Sequence, residues 1–218
     1  MESEVAYRKI FDKKNINNKT LTNRFITEVS DFRIEPVEHK KAIDLLKKFH
    51  YLPEHKIVGR RILYQFIDTK TNFILAIMIW GNTIAPNCEA RDNYLQITKQ
   101  ERLHKLANNL RFLILPDVQV KNLASRIISK SIKQLKIDWQ KKYGDKLQYV
   151  ETFVDSSKGF KGTCYLASSW KMVGYTKGYS FYGRKKVGKL AGFKIPAQAE
   201  DHVTVDNFPH EEEEAKQT

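Results

Sequence analysis

The stretch Arg111-Phe-Leu-Ile-Leu-Pro-Asp-Val-Gln-Val-Lys-Asn-Leu-Ala-Ser125 decides the fold, because it predicts a buried strand, a turn and a helix start in succession. The apolar run stops at Pro116, which cannot donate a strand hydrogen bond. Backbone N–H groups at a helix start point outward and the helix dipole favours an anion there, so this junction is a candidate phosphate-binding loop. An alternative stays open, since Asn122 is also typical of the N-cap of an ordinary helix.

The pattern on either side of this junction predicts an alternation of strands and helices. The first helix after it runs from Asn122 to Tyr143 and ends at Gly144. Periodicity predicts strands at 32–37, 61–68, 73–80, 147–154, 171–175 and 179–182, and helices at 39–49, 99–107 and 161–170. Residues 82–93 have the composition of a loop. This order predicts the α/β class, with a single mixed central sheet flanked by helices.

Composition changes at both ends of the chain. Residues 1–30 are polar with no sustained period, and the last residues contain Glu211-Glu212-Glu213-Glu214. We therefore expect an N-terminal extension at 1–30, an α/β domain at 31–195 and a flexible acidic tail at 196–218.

The charge of the chain indicates a polyanionic partner. Its 218 residues hold 38 Lys and Arg against 25 Asp and Glu, a formal net charge of +13. Nucleic acid is the commonest polyanion that such a protein meets, and DNA is favoured over RNA here. The longest apolar run, Phe73 to Trp80, is far short of a membrane span, and no signal peptide is visible. Two cysteines without a CxxC pair predict no disulfide framework and no metal site, which fits the cytoplasm.

Residues 156–199 combine cations with aromatic side chains and contain no Asp or Glu. Cations neutralise phosphates and aromatic faces stack on unpaired bases, so this segment predicts a nucleic-acid surface, although many of the aromatics also suit a core. A second basic surface is predicted on the long helix, and loop residues add to both. The candidate nucleic-acid contacts are His50, Arg91, Asp92, Arg126, Lys130, Lys133, Arg184, Lys185, Lys186 and Lys189. The alternatives are a local ion pair for Arg91-Asp92 and a helix-end residue for His50.

Two acids are predicted on the same side of one strand. Glu151 lies within the strand Leu147 to Val154, and Asp155 follows its end. Period-two alternation places Glu151 and Asp155 on the same side, with Asp155 where open α/β sheets bind ligands. Either carboxylate is a candidate general base. The competing interpretation is structural, with Asp155 capping the next turn and Glu151 pairing with a cation. A nuclease that uses these acids with Asp92 is a third, weaker possibility.

The loop sequence resembles the acyl-CoA pyrophosphate loop of the GCN5-related N-acetyltransferases, whose pattern is Arg/Gln-x-x-Gly-x-Gly/Ala. Gln119, Asn122 and Ala124 match its positions, with Asn122 replacing a Gly. The resemblance implies that an acyl-CoA such as acetyl-CoA is the cofactor, with contacts from Gln119, Lys121, Asn122, Ala124 and Ser125. It also implies that Tyr165, which precedes Gly174-Tyr175 as in that family, is a candidate general acid.

A narrower resemblance covers residues 50–178. The blocks are Asn108-Asn-Leu-Arg111-Phe-Leu-Ile-Leu-Pro116, Asn122-Leu-Ala-Ser125, Glu151-Thr-Phe-Val-Asp155, Phe160-Lys-Gly-Thr163-x-Tyr165 and Trp170-x-x-Val-Gly174-x-Thr176-x-Gly178. In this order they resemble the Druantia anti-phage protein DruA family. That resemblance implies bacterial genome defence or a mobile element, with other defence proteins as partners. It leaves open whether the chain modifies a base or another amine, or is a non-catalytic nucleic-acid-binding module on an acetyltransferase scaffold.

Overall fold

A seven-stranded mixed sheet forms the centre of the computed structural model, which describes residues 25–52, 57, 59–82, 88–155 and 159–175 and the backbone of 201–207. The strands lie in the order β1-β2-β3-β4-β5-β7-β6. Their bounds are β1 Phe32–Pro36, β2 Arg61–Asp68, β3 Ile74–Gly81, β4 Leu106–Ile114, β5 Tyr149–Asp155, β6 Lys171–Tyr175 and β7 Asp201–Asn207. The helices are α1 His39–Phe49, α2 Glu89–Leu95, α3 Lys99–Lys105, α4 Leu123–Tyr143 and α5 Thr163–Leu166. The predicted fold class is confirmed.

One pair of strands breaks the antiparallel pattern of the sheet. β4 and β5 run parallel and pair only from Leu106 to Asn108 against Tyr149 to Glu151. Beyond that point β4 continues along β3 to Ile114, and β5 continues along β7 to Asp155. We call the point after Asn108 and Glu151, where β4 and β5 stop pairing, the fork. It opens at the carboxyl ends of two parallel strands, where α/β sheets place ligands.

Helices cover both faces of the sheet. The Tyr64 hydroxyl of β2 donates to Asp138 of α4 at 2.6 Å, so we call that side the α4 face. Lys41 of α1 donates to Gln65, the next residue of β2, at 3.1 Å, which places α1 on the opposite side, the α1 face. The apolar stripe of α4, including Ile128, Ile132, Leu135 and Trp139, is buried in the core, as the helical period predicted.

Several predicted elements differ from those in the structure. The strand predicted to start at Arg111 begins at Leu106, because the polar residues Asn108 and Asn109 are buried and hydrogen-bonded within the sheet. Residues 89–95 form α2, although most of them were predicted as a loop. The buried side of this helix includes Arg91, which is ion-paired with Glu151, so an apolar pattern does not reveal it. The strand predicted at 179–182 lies outside the described residues.

Both predicted chain ends contribute to the domain. In the predicted extension, Ile26 forms a parallel bridge with Val118, and Val29 is buried in the core. Within the segment predicted as a tail, Asp201–Asn207 forms β7 between β5 and β6. Their Val203-Thr-Val205 alternation is typical of a strand. Within the described part of the chain, no helix is long and apolar enough to cross a membrane.

Candidate functional site

The fork carries buried polar side chains on both faces of the sheet. Alternation along the strands places Asn108 and Glu151 on the α1 face, and Asn109 and Thr152 on the α4 face. All four are at least nine-tenths buried. A group of polar residues inside a sheet needs partners, so we describe each face by its hydrogen bonds.

On the α4 face, Tyr165 of α5 binds to the fork. Its hydroxyl donates to Asn109 Oδ1 at 2.8 Å, and Thr152 Oγ1 donates to the Asn109 carbonyl at 3.3 Å. Burial raises the pKa of the Tyr165 phenol, so the hydroxyl stays protonated at neutral pH. This places the predicted general acid at the fork with its proton held by Asn109.

A cluster of tryptophans lies behind Tyr165. Its ring is 5.0 Å from that of Trp170, which stacks on Trp80 at 6.4 Å. Both tryptophans are buried, and none of the described residues accepts a hydrogen bond from their indole N–H groups. Unsatisfied buried donors are costly, and a ligand with carbonyl groups, such as the amide-containing arm of an acyl-CoA, would satisfy them.

Asn122 gives the predicted phosphate loop a left-handed turn. Its φ is 60° and its ψ 9°, and its carbonyl accepts from Arg126 N at 3.1 Å and Ser125 Oγ at 3.0 Å. Its side chain makes no capping hydrogen bond, so the structure differs from the ordinary N-cap that we considered. Asn adopts this conformation more readily than other residues with a side chain, which explains how it replaces a Gly.

The loop lies beside the helix that carries Tyr165. Ser168 Oγ contacts the carbonyls of Ser125, at 3.3 Å, and of Cys164, at 2.7 Å. Gln119, Lys121 and Asn122 are exposed, and Ala124 and Ser125 are partly exposed. The Gln119 N–H donates to the Ile26 carbonyl at 2.8 Å and the Leu123 N–H to the Val120 carbonyl at 3.2 Å, which leaves the amides of Ala124 and Ser125 without a partner within the helix. The loop therefore suits a pyrophosphate.

On the α1 face, Glu151 belongs to a buried ion-pair network. Arg91 Nη1 lies 3.2 Å from Glu151 Oε2, and Asn108 Nδ2 donates to Oε1 at 3.1 Å. Asp92 pairs with Arg91 at 2.9 Å and with Arg102 at 2.7 Å. Burial acts to lower the pKa of Arg91, but Glu151 and Asp92 raise it above its usual range. Arg91 is fully buried, away from the surface where a phosphate contact would need it.

The two candidate bases differ in their surroundings. Protonating Glu151 would remove the buried negative charge beside Arg91 and leave it only Asp92, so Glu151 is a poor proton acceptor. Asp155 is half-buried at the end of β5, on the same face as Glu151, and pairs in register with Asp201. Of the two acids, Asp155 is the one with access to the surface.

His50 joins the end of α1 to β4. Its Nδ1 accepts from Leu52 N at 3.2 Å, and the ring also hydrogen-bonds to the backbone of Phe112. Burial and then the charge of Arg111 lower the pKa of His50 to about 4. His50 is therefore neutral at physiological pH and does not add to the cationic surface that we predicted.

The N-terminal segment occupies most of the predicted basic stripe on α4. Arg126 donates to the carbonyls of Val29, at 2.9 Å, and Ser30, at 2.7 Å, and Lys130 pairs with Asp31 at 2.5 Å. Lys133 is exposed. The predicted contacts Arg184, Lys185, Lys186 and Lys189 lie outside the described residues.

The described residues hold no cluster of three or more His, Cys, Asp or Glu that suits a metal ion. Glu151 and Asp92, two acids of the nuclease alternative, are both paired with Arg91. Burial raises the pKa of Cys88 and Cys164, so neither thiol is activated as a nucleophile.

The sequence did not lead us to predict Asn108, Asn109 and Arg111 as site residues. The signal for them was a polar pair next to an Arg within an apolar run.

Solved structures share this fold. The fold is similar to spermidine N-acetyltransferase from Vibrio cholerae in complex with CoA and spermine, at a TM-score of 0.51 and 8% identity over 82% of this chain and 96% of that one. NAA60 from Arabidopsis thaliana in complex with acetyl-CoA matches with a TM-score of 0.49 and 13% identity, over 81% of this chain and 98% of that one. The chain therefore has the fold of the GCN5-related N-acetyltransferases, as its loop sequence predicted.

The sequence places the chain more narrowly within that fold. It matches the family described as Druantia protein DruA over residues 2–187. The protein belongs to the DruA family, which confirms the resemblance in its sequence blocks. No curated protein sequence matches the chain.

Proposed function

We propose that this DruA protein is an acyl-CoA-dependent N-acyltransferase that modifies a base or another amine of nucleic acid in bacterial defence. The observation that carries the proposal is the fork, with the left-handed loop at Asn122 and the hydroxyl of Tyr165 on the same face of the sheet. The fold alone does not assign the activity, so the proposal depends on these residues.

Each residue has a definite task in this scheme. The loop Gln119, Lys121, Asn122, Ala124 and Ser125 would hold the pyrophosphate of the cofactor, which supplies an activated acyl group. Asp155, at the end of β5 on the α1 face, would accept the proton of the attacking amine through the open fork, since Glu151 is committed to Arg91. Tyr165 would donate its hydroxyl proton to the leaving thiolate. Its hydrogen bond to Asn109 must break for this transfer.

Charge supports the nucleic-acid partner. The net charge of +13 and the acid-free segment 156–199 favour a polyanion, and we propose DNA rather than RNA. The defence setting proposed for the family favours other defence proteins as partners in the same complex.

Calorimetric titration with acetyl-CoA and with CoA tests the cofactor loop. We expect binding by the wild type and its loss in Asn122→Asp, because a carboxylate would repel the pyrophosphate. Asn72→Asp is the matched control, since Asn72 is also left-handed, with a φ of 62°, in the β2–β3 turn. Tyr165→Phe should keep CoA binding and lose acyl transfer to an amine. Equal binding by Asn122→Asp and the wild type would contradict the loop assignment.

A second candidate is a nucleic-acid-binding module without catalysis. Asn122 in place of Gly leaves less room for a phosphate, and the proton of Tyr165 is already held by Asn109. Nucleic-acid binding in the absence of any CoA binding would establish this candidate and exclude the acyltransferase.

A further inference from the structure

Three rings stack beside the fork, from segments far apart in the sequence. Tyr51 lies 4.7 Å from the ring of His50, nearly parallel at 24°, and 4.7 Å from the ring of Phe160. Tyr51, the middle ring, is 43% exposed, and Phe160, which is tilted against it by 43° at one end, is 46% exposed. Large aromatic side chains are normally buried, so two adjacent exposed rings suggest a binding surface.

The stack is close to the residues at the fork. The His50 ring that stacks on Tyr51 hydrogen-bonds to the backbone of Phe112, the residue after Arg111 in β4, and Tyr51 is close enough to Arg111 and Tyr165 to influence the pKa of each. A ligand lying against these rings would therefore be near Tyr165, the proposed general acid.

Arg111 adds a cation to this surface. It is partly buried in β4, and its Nη1 donates to the Leu110 carbonyl at 2.6 Å. Among the residues that the structure describes, no carboxylate forms an ion pair with it, whereas Arg33, Arg60, Arg91 and Arg102 each have one. Burial lowers the pKa of Arg111, but a guanidinium does not lose its proton in proteins, and the neighbouring His50, with a pKa of about 4, is neutral. A partly desolvated guanidinium of this kind binds an anion well.

We propose that Tyr51, Phe160 and Arg111 form a subsite for one unpaired nucleotide, with its base against the rings and its phosphate on Arg111. A flat ring joined to an anion is the chemistry that matches an aromatic pair beside an arginine. The base must be unstacked to reach the rings, so the substrate class is single-stranded or locally opened DNA. This inference rests on the nucleic-acid partner of the proposed function and identifies the residues that receive the base.

Fluorescence anisotropy with a labelled single-stranded oligonucleotide, and with the duplex of the same sequence, tests the subsite. Tyr51→Leu and Phe160→Leu should each weaken single-strand binding by about tenfold and leave duplex binding unchanged, since stacking on an aromatic ring is lost. Tyr51→Trp should retain binding, because the indole still stacks. Arg111→Gln should weaken binding and reduce its salt dependence by about one phosphate contact.

Matched controls separate the subsite from general effects. Phe73→Leu removes a ring that is 37% exposed at the β2–β3 turn, and Lys141→Gln removes an exposed α4 cation that is not among the candidate nucleic-acid contacts. Both should bind the single strand like the wild type. Thermal melting and CoA calorimetry on every variant show whether the fold and the cofactor loop are intact.

The outcomes distinguish this inference from the proposed function. If the wild type binds the single strand and Tyr51→Leu and Phe160→Leu match the controls, the subsite is wrong and the proposed function stands. If the same variants lose CoA binding instead, the rings hold the adenine of the cofactor and the subsite is also wrong. If the wild type binds CoA but neither oligonucleotide, both the subsite and the nucleic-acid partner fail, and another amine is the acceptor.

Discussion

At the scale of single residues, the fork shows that partners rather than residue types decide what a side chain can do. Glu151 and Asp155 are both acids on one face of β5, yet only Glu151 is fully buried and paired with a buried arginine. Removing one member of a buried pair leaves an uncompensated charge, whereas replacing both with apolar residues is often tolerated. The pair therefore stabilises the fork without supplying a base.

The ion pair leads to a stability prediction. We expect Glu151→Gln to lower the free energy of unfolding by about 1–3 kcal/mol, because Arg91 would lose its buried carboxylate partner and keep only Asp92. The double variant Arg91→Met/Glu151→Leu should regain most of that loss. Urea denaturation of the three proteins measures the difference, and equal losses in the single and double variants would contradict it.

His50 leads to a prediction about pH. The unfolded chain protonates this imidazole near its ordinary pKa of 6.5, whereas the folded protein does so at about 4. Between these values the unfolded state holds more protons, so falling pH favours unfolding and the stability from this group is present above pH 6.5. His50→Gln should reduce the fall in Tm over this range, as differential scanning calorimetry would show. An unchanged pH profile would argue against a depressed His50 pKa.

At the scale of elements, the structure shows which parts of the chain its sequence could predict. β1, α1, the β2–β3 hairpin and α4 have clear apolar periods and were predicted nearly to their ends. α2 was missed because its buried side is an arginine, whose ion partner lies 60 residues away on β5. Local periodicity carries no information about such long-range pairing. For the same reason the sequence predicted Glu151, Asp155 and Tyr165 as one site. It did not predict the ion pair between Arg91 and Glu151, which gives the two acids different roles.

The attachment of the N-terminal segment to α4 leads to another prediction. Arg126→Ala removes two hydrogen bonds to the carbonyls of Val29 and Ser30, so residues 25–31 should become more sensitive to limited proteolysis. Nucleic-acid affinity should change little, because this guanidinium is already engaged. Lys141→Ala, on the same helix but exposed and not among the candidate nucleic-acid contacts, is the control for both measurements. A large loss of affinity in Arg126→Ala alone would restore the helix stripe as a binding surface.

At the scale of the whole molecule, basic charge and aromatic stacking should contribute to nucleic-acid binding in separable ways. Phosphate contacts release counterions and make affinity fall with salt, whereas a stacked base adds affinity with no counterion of its own. In the described part, Arg91, Arg126 and Lys130 are engaged within the protein, so the salt-dependent contacts are expected chiefly from the Arg184-Lys-Lys segment.

A salt titration of the wild type and two variants separates these contributions. The logarithm of affinity should fall linearly with the logarithm of salt concentration, and Lys185→Ala/Lys186→Ala should lower that slope by about two, one for each phosphate contact removed. Tyr51→Leu should shift the single-strand line to weaker affinity and keep its slope, because a ring contributes no charge. A flat line for the wild type would contradict a polyanionic partner. A lower slope in Tyr51→Leu would mean that this ring positions a cation instead of stacking on a base.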